Sequence, residues 1–335
     1  MDWSSSYVRI GAVSLLSVGS VWAYRQFFAV QGRNRGCFRT LKAQPNRSLA
    51  YREDVMEGSA YASLSTGETH YYLLGPQNGE KLVFFQGMSS VNALLLPVLR
   101  QLVDNGYRVL IYDYYGRGYS DAPRVPYNES LYVTQGRELV EHIGWSKFQV
   151  LGFSLGGAIA TSFASQYPEK VTRLALAAPA GLMESLALPA KIARLPVIGD
   201  LFAQSVAPFI LFYMMYRGSL HLHKAPELEL WRSVSFDQVF KHPGFMAAYH
   251  STLVHFPFTG LAARYEKLGA LGLPVLLLWG TNDRVVPYRL HQRVMQLVPQ
   301  ATFVSIPNTA HELFYESLDQ VARPLLEYLQ ASRSQ

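Results

Sequence analysis

Apolar positions along this chain gather into short runs. Phe148-Gln149-Val150-Leu151, Arg173-Leu174-Ala175-Leu176-Ala177, Pro274-Val275-Leu276-Leu277-Leu278-Trp279 and Ala301-Thr302-Phe303-Val304-Ser305-Ile306 are four of them. Runs this short, bounded by glycine, proline or polar residues, predict buried strands. The run Pro274 to Trp279 is continuously apolar. Ala158 to Ala164 follows the first run as a small-residue stretch, predicting a helix packed close against it. Between the runs at 173–177 and 274–279 lies an insertion of about ninety residues, longer than an ordinary crossover. Inside it, Val206 to Tyr216 is uncharged and rich in Phe, Met and Tyr. As a helix it spans only about 17 Å, too little for a bilayer core of roughly 30 Å.

The turns after these strands carry the candidate chemistry. Gly152-Phe153-Ser154-Leu155-Gly156-Gly157 stands where a strand reverses into a helix. Such a reversal strains the central residue and crowds the positions two before and two after, hence Gly152 and Gly156. It lifts the Ser154 hydroxyl to the top of the sheet and aims a helix N-terminus beside it. Three fixed positions at about 7% usage would arise by chance on the order of once in ten chains of this size. Two later loops add weight to the pattern. The run ending at Trp279 leads into Gly280-Thr281-Asn282-Asp283, and the run ending at Ile306 leads into Pro307-Asn308-Thr309-Ala310-His311. Alone, Asp283 reads as a turn residue or cap and His311 as an ordinary loop histidine. Together they sit in matching loops past consecutive strands, where an open α/β sheet places functional groups.

With the order Ser154, Asp283, His311, the chain resembles the α/β-hydrolase superfamily, lipase- and esterase-like members in particular, from about Tyr71 to Leu329. Further matching segments are Asp113-Tyr114-Tyr115-Gly116-Arg117-Gly118-Tyr119-Ser120, similar to the family's loop after its fourth strand, Trp279 to Pro287, and Ile306 to Glu312. One departure stands out. The family usually has His-Gly after its third strand, and this chain has Gln86-Gly87-Met88.

The resemblance implies a mostly parallel, doubly wound α/β sheet with a helical cap supplied by the insertion. It implies His311 as general base and later acid, Asp283 as its orienting carboxylate, and the backbone N–H groups of Leu155 and Met88 as oxyanion donors. Serine at the elbow argues against epoxide hydrolase or haloalkane dehalogenase chemistry, which uses aspartate there. No metal or organic cofactor is implied. The expected organisation is a basic segment at 1–52, hydrolase core at 53–182, cap at 183–268 and core again at 269–335.

Charge sharpens the picture of the N-terminus. The chain has 335 residues and a net charge of +6. Residues 1–52 hold eight Arg and Lys against Asp2 alone, a net of +7, which leaves the remainder at −1. The basicity therefore belongs to the leading segment, and no recognition motif accompanies it to suggest nucleic acid. Ile10 to Tyr24 is uncharged, with Trp22, Tyr24, Phe27 and Phe28 crowding one end. We expect a membrane anchor there, Arg9 and Arg25 snorkelling, with the catalytic part facing the cytosol or matrix. A cleaved signal peptide, a mitochondrial presequence, and a helix lying on the domain's own surface are the competing readings. The single cysteine, Cys37, excludes an internal disulfide.

Several features are read more plainly. His221, His223, His242, His250 and His255 lack the spacing of a metal site. Asn46-Arg47-Ser48 and Asn128-Glu129-Ser130 are sequons that matter only in a secreted chain. His311 to Glu316 loosely matches an acyltransferase spacing with glutamate for aspartate. The resulting expectation is a membrane-associated serine hydrolase of esters with an apolar acyl part, such as monoacylglycerols or lysophospholipids, with Val206 to Tyr216 walling an acyl pocket or simply buried. A thioesterase or protein deacylase, a carbon–carbon bond hydrolase, an acyltransferase and a non-catalytic tethered domain remain as alternatives.

Overall fold

The computed structural model describes residues 37–38, 52–218, 225–242 and 244–331. The stretch Ile10 to Tyr24, the sequon at Asn46, and His221 and His223 lie outside them. Eight strands form one sheet: β1 (Ser59–Ser63), β2 (Glu68–Leu74), β3 (Glu80–Phe85), β4 (Tyr107–Tyr112), β5 (Phe148–Phe153), β6 (Val171–Ala177), β7 (Val275–Gly280) and β8 (Thr302–Ile306). Their order is β1-β2-β4-β3-β5-β6-β7-β8. β1 and β2 pair antiparallel, as do β2 and β4. Every pairing from β4 to β8 is parallel. Three of the four runs are the interior strands β5, β6 and β7, and all six residues of β5 and of β7 are buried. β8 is the edge, and only Ile306 of it is buried.

Parallel neighbours need crossovers, and helices supply them. Before the insertion come α1 (Leu96–Asp104), α2 (Glu129–His142) and α3 (Leu155–Gln166). α2 starts where Asn128 Oδ1 accepts the Leu131 N–H at 3.0 Å, so this sequon asparagine is a helix cap. In α3 all residues but the last are buried. Its Gly and Ala positions let its backbone lie close to β5, as the small-residue pattern predicted.

The insertion folds into a helical cap: α4 (Leu188–Ala193), α5 (Ile198–Ser205), α6 (Ala207–Gly218), α7 (Ala225–Phe236), a π-helical turn at Asp237–Lys241, and α8 (Phe245–His255). After it come α9 (Ala262–Ala270), α10 (Leu290–Leu297), α11 (Leu313–Glu316) and α12 (Leu318–Gln330). α9 packs against the core helices α3 and α10 rather than the cap helices. Tyr265 and Leu268 are fully buried in the central core, and the Tyr265 hydroxyl donates to the Ala180 carbonyl at 2.8 Å. The expected boundary at residue 268 thus falls inside a core helix. Among the described residues no single helix is long and apolar enough to cross a membrane. α5 and the Ala207–Tyr216 part of α6 together meet that test, but they bend by 49° at their junction.

Candidate active site

Ser154 ends β5 and starts α3 at φ 56°, a left-handed conformation that costs a non-glycine residue about 1–3 kcal/mol. The glycines around it are required by contact. A Cβ on Gly156 would lie 2.0 Å from the Phe85 carbonyl oxygen, and one on Gly152 would lie 2.6 Å from both Ala160 Cβ and the Gly156 oxygen. β3, β5 and α3 are therefore packed as tightly as backbone allows, and the turn has one shape.

The structure brings the three candidate residues together. Ser154 Oγ lies 2.9 Å from His311 Nε2, and His311 Nδ1 lies 2.7 Å from Asp283 Oδ2. The network fixes the tautomer: Nδ1–H donates to the carboxylate, which leaves Nε2 to accept the serine proton. Asp283 is held on its other oxygen, since Oδ1 accepts the N–H groups of Val285 at 2.9 Å and Val286 at 3.0 Å. It is thus both turn cap and orienting carboxylate. Burial by itself would lower the His311 pKa. The Asp283 carboxylate outweighs it, with Glu312 and Glu316 adding, and the net shift is upward.

Glu316 also clamps the histidine loop. Its two oxygens accept the N–H groups of Ala310 at 2.6 Å and Glu312 at 3.2 Å, the residues on either side of His311. Burial pushes the neighbouring Glu312 carboxyl up to about 7. The spacing noted between His311 and Glu316 is accounted for by this clamp.

Met88 and Leu155, the expected oxyanion donors, both line the cavity beside Ser154. The Leu155 N–H opens a helix, where no carbonyl one turn earlier is available to accept it. In the loop that departs from the family pattern, Gln86 is buried. Its Nε2 donates to the Tyr112 carbonyl at 2.9 Å, while its own carbonyl accepts the Tyr114 hydroxyl at 3.0 Å. The glutamine therefore anchors the loop to the end of β4.

Arg117 reaches further than its own loop. It is 1% exposed, lies about 6 Å from the Tyr127, Tyr132 and Phe245 rings, and donates to the Met88 and Tyr115 carbonyls and the Thr252 hydroxyl. It links cap helix α8 to the loop of Met88. Gln238 makes a second link, donating to the Ser89 carbonyl at 2.8 Å. These cap contacts span more than a hundred residues of sequence, and no local pattern signals them.

A cavity of about 200 Å³ opens at Ser154. Its walls are apolar, including Leu186, Ile210, Leu211, Met246 and Phe258, with Tyr249 and His250 as polar members beside Ser154. Ile210 and Leu211 come from the uncharged stretch Val206 to Tyr216. Elsewhere, a second string runs from Ser59 Oγ to His70 Nε2 at 2.9 Å and from His70 Nδ1 to Asp113 Oδ2 at 2.8 Å. Among the described residues no group of three His, Cys, Asp or Glu is placed to hold a metal ion.

The α/β-hydrolase fold family matches residues 82–318. The chain belongs to the α/β-hydrolase fold family. Lipase 1 of Psychrobacter immobilis is 26% identical over 269 residues, covering 78% of this chain and 80% of that one. A 2-hydroxy-6-oxo-6-phenylhexa-2,4-dienoate hydrolase of Burkholderia cepacia is 25% identical, covering 67% and 77%. Against mycobacterial relatives 25% identical over 218 residues, this α/β-hydrolase chain covers 64% of their length. Among solved structures, a bacterial membrane phospholipase A described as a virulence factor superposes with TM-score 0.68 at 20% identity, over 98% of this chain and all of that one. At that identity the likeness is one of fold.

Proposed function

We propose that this chain is a serine hydrolase of carboxylic esters with an apolar acyl group, a lipid ester of the monoacylglycerol or lysophospholipid kind. The observation that carries the reading is Ser154 Oγ, hydrogen-bonded to His311, in the wall of an apolar cavity. His311 Nε2 takes the Ser154 proton as Oγ attacks the ester carbonyl, and Asp283 stabilises the imidazolium. The oxyanion gathers negative charge against the Leu155 and Met88 N–H groups. The imidazolium then protonates the leaving alcohol, giving an acyl-enzyme on Ser154. Water, deprotonated by His311, releases the acid and restores the serine.

A carbon–carbon bond hydrolase acting on a dienoate, the substrate class in the Burkholderia relative's name, would have to hold a substrate carboxylate. Among the described residues that line the cavity there is neither Lys nor Arg, which favours the apolar acyl group. The test is hydrolysis of p-nitrophenyl esters from acetate to palmitate by the full chain, beside acyl thioesters, with Ser154→Ala as control. Each methylene buried contributes about 0.8 kcal/mol, so kcat/KM is expected to rise roughly fourfold per added CH2 until the cavity is full. A flat or falling series, or full activity in Ser154→Ala, refutes the proposal.

A further inference from the structure

The cap helices α4 to α6 are apolar on both sides. Their inner side lines the cavity through Phe202, Ile210 and Leu211. Their outer side shows Leu188, Val197, Ile198, Leu201, Phe209 and Tyr213, each more than half exposed. Apolarity all round is the mark of a helix covered all round. From residue 195 to 216 Asp200 is the single charged residue. A contiguous face of this kind marks an interaction site rather than ordinary surface. Val197, the most exposed of the six, is held at φ 64°. A β-branched residue adopts that conformation only at a cost, and here the turn holds an apolar side chain at the tip of the patch.

Two observations identify what covers it. The first is continuity. Met214 and Val285 are more than half exposed and also line the cavity, so the patch is continuous with the cavity that Ser154 lines. The second is charge. Lys191 and Arg194 stand between Leu188 and Val197, Arg194 donating to the Leu253 and Phe256 carbonyls. At another edge the Arg232 guanidinium lies 4.5 Å from the Tyr216 ring, while Lys241, 5.9 Å from the Phe236 ring, is paired with Asp237 at 2.7 Å. An apolar centre interrupted only by Asp200, which lies 3.6 Å from His250, and bordered by Lys191, Arg194 and Arg232 is complementary to a lipid surface, hydrocarbon below and phosphate-bearing head groups around. A second copy packed on this face by a two-fold axis would set the same cations against one another.

We propose that the outer face of α4 to α6 docks on a lipid surface, and that the docked protein draws an acyl chain from it into the cavity. The acyl transfer rests on the ester-hydrolase reading; the docking does not.

Local probes test it on the full chain. In a Cys37→Ser background, an environment-sensitive dye is attached at Val197→Cys, Phe209→Cys or, as a control, Lys147→Cys. Lys147 precedes β5 and so sits at the opposite end of the sheet from Ser154. On adding phosphatidylcholine vesicles with a minor share of phosphatidylglycerol, emission at positions 197 and 209 is expected to shift to the blue and to be quenched by brominated lipid. Position 147 stays unchanged. Val197→Asp combined with Phe209→Asp is expected to lose roughly tenfold in turnover of a long-chain ester held in vesicles, the loss of partial burial of two apolar groups, while a water-soluble short ester changes less than twofold. No shift at 197 and 209, or an equal shift at 147, overturns the docking even where the whole chain binds vesicles. Docking with Ser154→Ala fully active would instead overturn the ester reading alone.

Discussion

His242 offers a pH test of how the cap is held. Its ring is 2% exposed and lies between the π-helical turn and α8. Nε2–H donates to the Gly118 carbonyl at 2.9 Å, and Nδ1 accepts the Gly244 N–H at 3.2 Å. Both nitrogens are used by the neutral ring, so a second proton would break the Gly244 contact. Burial drives the pKa from 6.5 down to about 4, against the opposing pull of the Gly118 carbonyl and the Asp113 carboxylate; Arg117 adds to the lowering. Between those values the unfolded chain binds a proton that the folded one does not, so stability rises with pH. The contribution is full above pH 6.5, falls as pH drops toward 4 and changes no further below it. Some 2.5 pKa steps amount to about 3 kcal/mol. His242→Gln keeps a donor for Gly118 without titrating. Denaturant unfolding of both proteins at pH 7, 5.5 and 4, followed by tryptophan fluorescence, measures the difference. The gap in stability at pH 7 should shift in favour of the variant by about 3 kcal/mol at pH 4. Parallel pH dependences would refute the argument that this ring is buried neutral.

Gly156→Ala drives a Cβ into the Phe85 carbonyl oxygen, so a loss of about 3 kcal/mol or more is expected in thermal or denaturant unfolding, together with most of the ester activity. Glu316→Gln removes one of the carboxylates that raise His311. The base must be neutral to act, so the acid limb of the kcat/KM–pH profile is expected to move to lower pH. Asp283→Asn should keep the fold and lower kcat by on the order of 10⁴, read in burst and steady-state kinetics, because the wrong tautomer of His311 is then favoured.

The sequence revealed most where the physics is local. Mostly apolar runs mark β5, β6 and β7 because both faces of these interior strands are covered, and the elbow is legible because Gly152 and Gly156 have no room for a Cβ. The three turns carrying Ser154, Asp283 and His311 follow from strands that could already be read. The cap boundary was less legible, since α9 has the amphipathic pattern of any surface helix and only its docking through Tyr265 and Leu268 assigns it to the core. The links of Arg117 to Thr252 and of Gln238 to Ser89 were invisible, because tertiary packing pairs residues that no periodicity relates.

The second Ser–His–Asp string shows that hydrogen-bond lengths do not by themselves make a nucleophile. Ser59, His70 and Asp113 are spaced at 2.9 and 2.8 Å, within 0.1 Å of the string at Ser154. Their surroundings differ. Ser59 lies in edge strand β1, laddered opposite Tyr72, with no helix starting after it. Asp113 shares its oxygens among His70, the Asn92 amide and the Tyr119 N–H. The His70 ring is packed among Tyr61, Tyr72 and Tyr119 at centroid distances of 4.7 to 5.4 Å. This string ties β1, β2 and the Asp113–Ser120 loop together. It offers no helix N-terminus for an oxyanion, and the cavity beside Ser59 is walled by Arg52, Glu53, Asp54 and Tyr119, whereas the apolar cavity opens at Ser154. A fluorophosphonate should therefore label Ser154 alone, and Ser154→Ala should abolish labelling with Ser59 intact. Ser59→Ala should keep esterase activity and cost about 1 kcal/mol of stability, the usual net worth of one hydrogen bond. A phosphonyl adduct mapped to Ser59 by mass spectrometry would mean that a histidine and a carboxylate in line are sufficient, and that neither the elbow nor the helix N-terminus is needed to activate a serine.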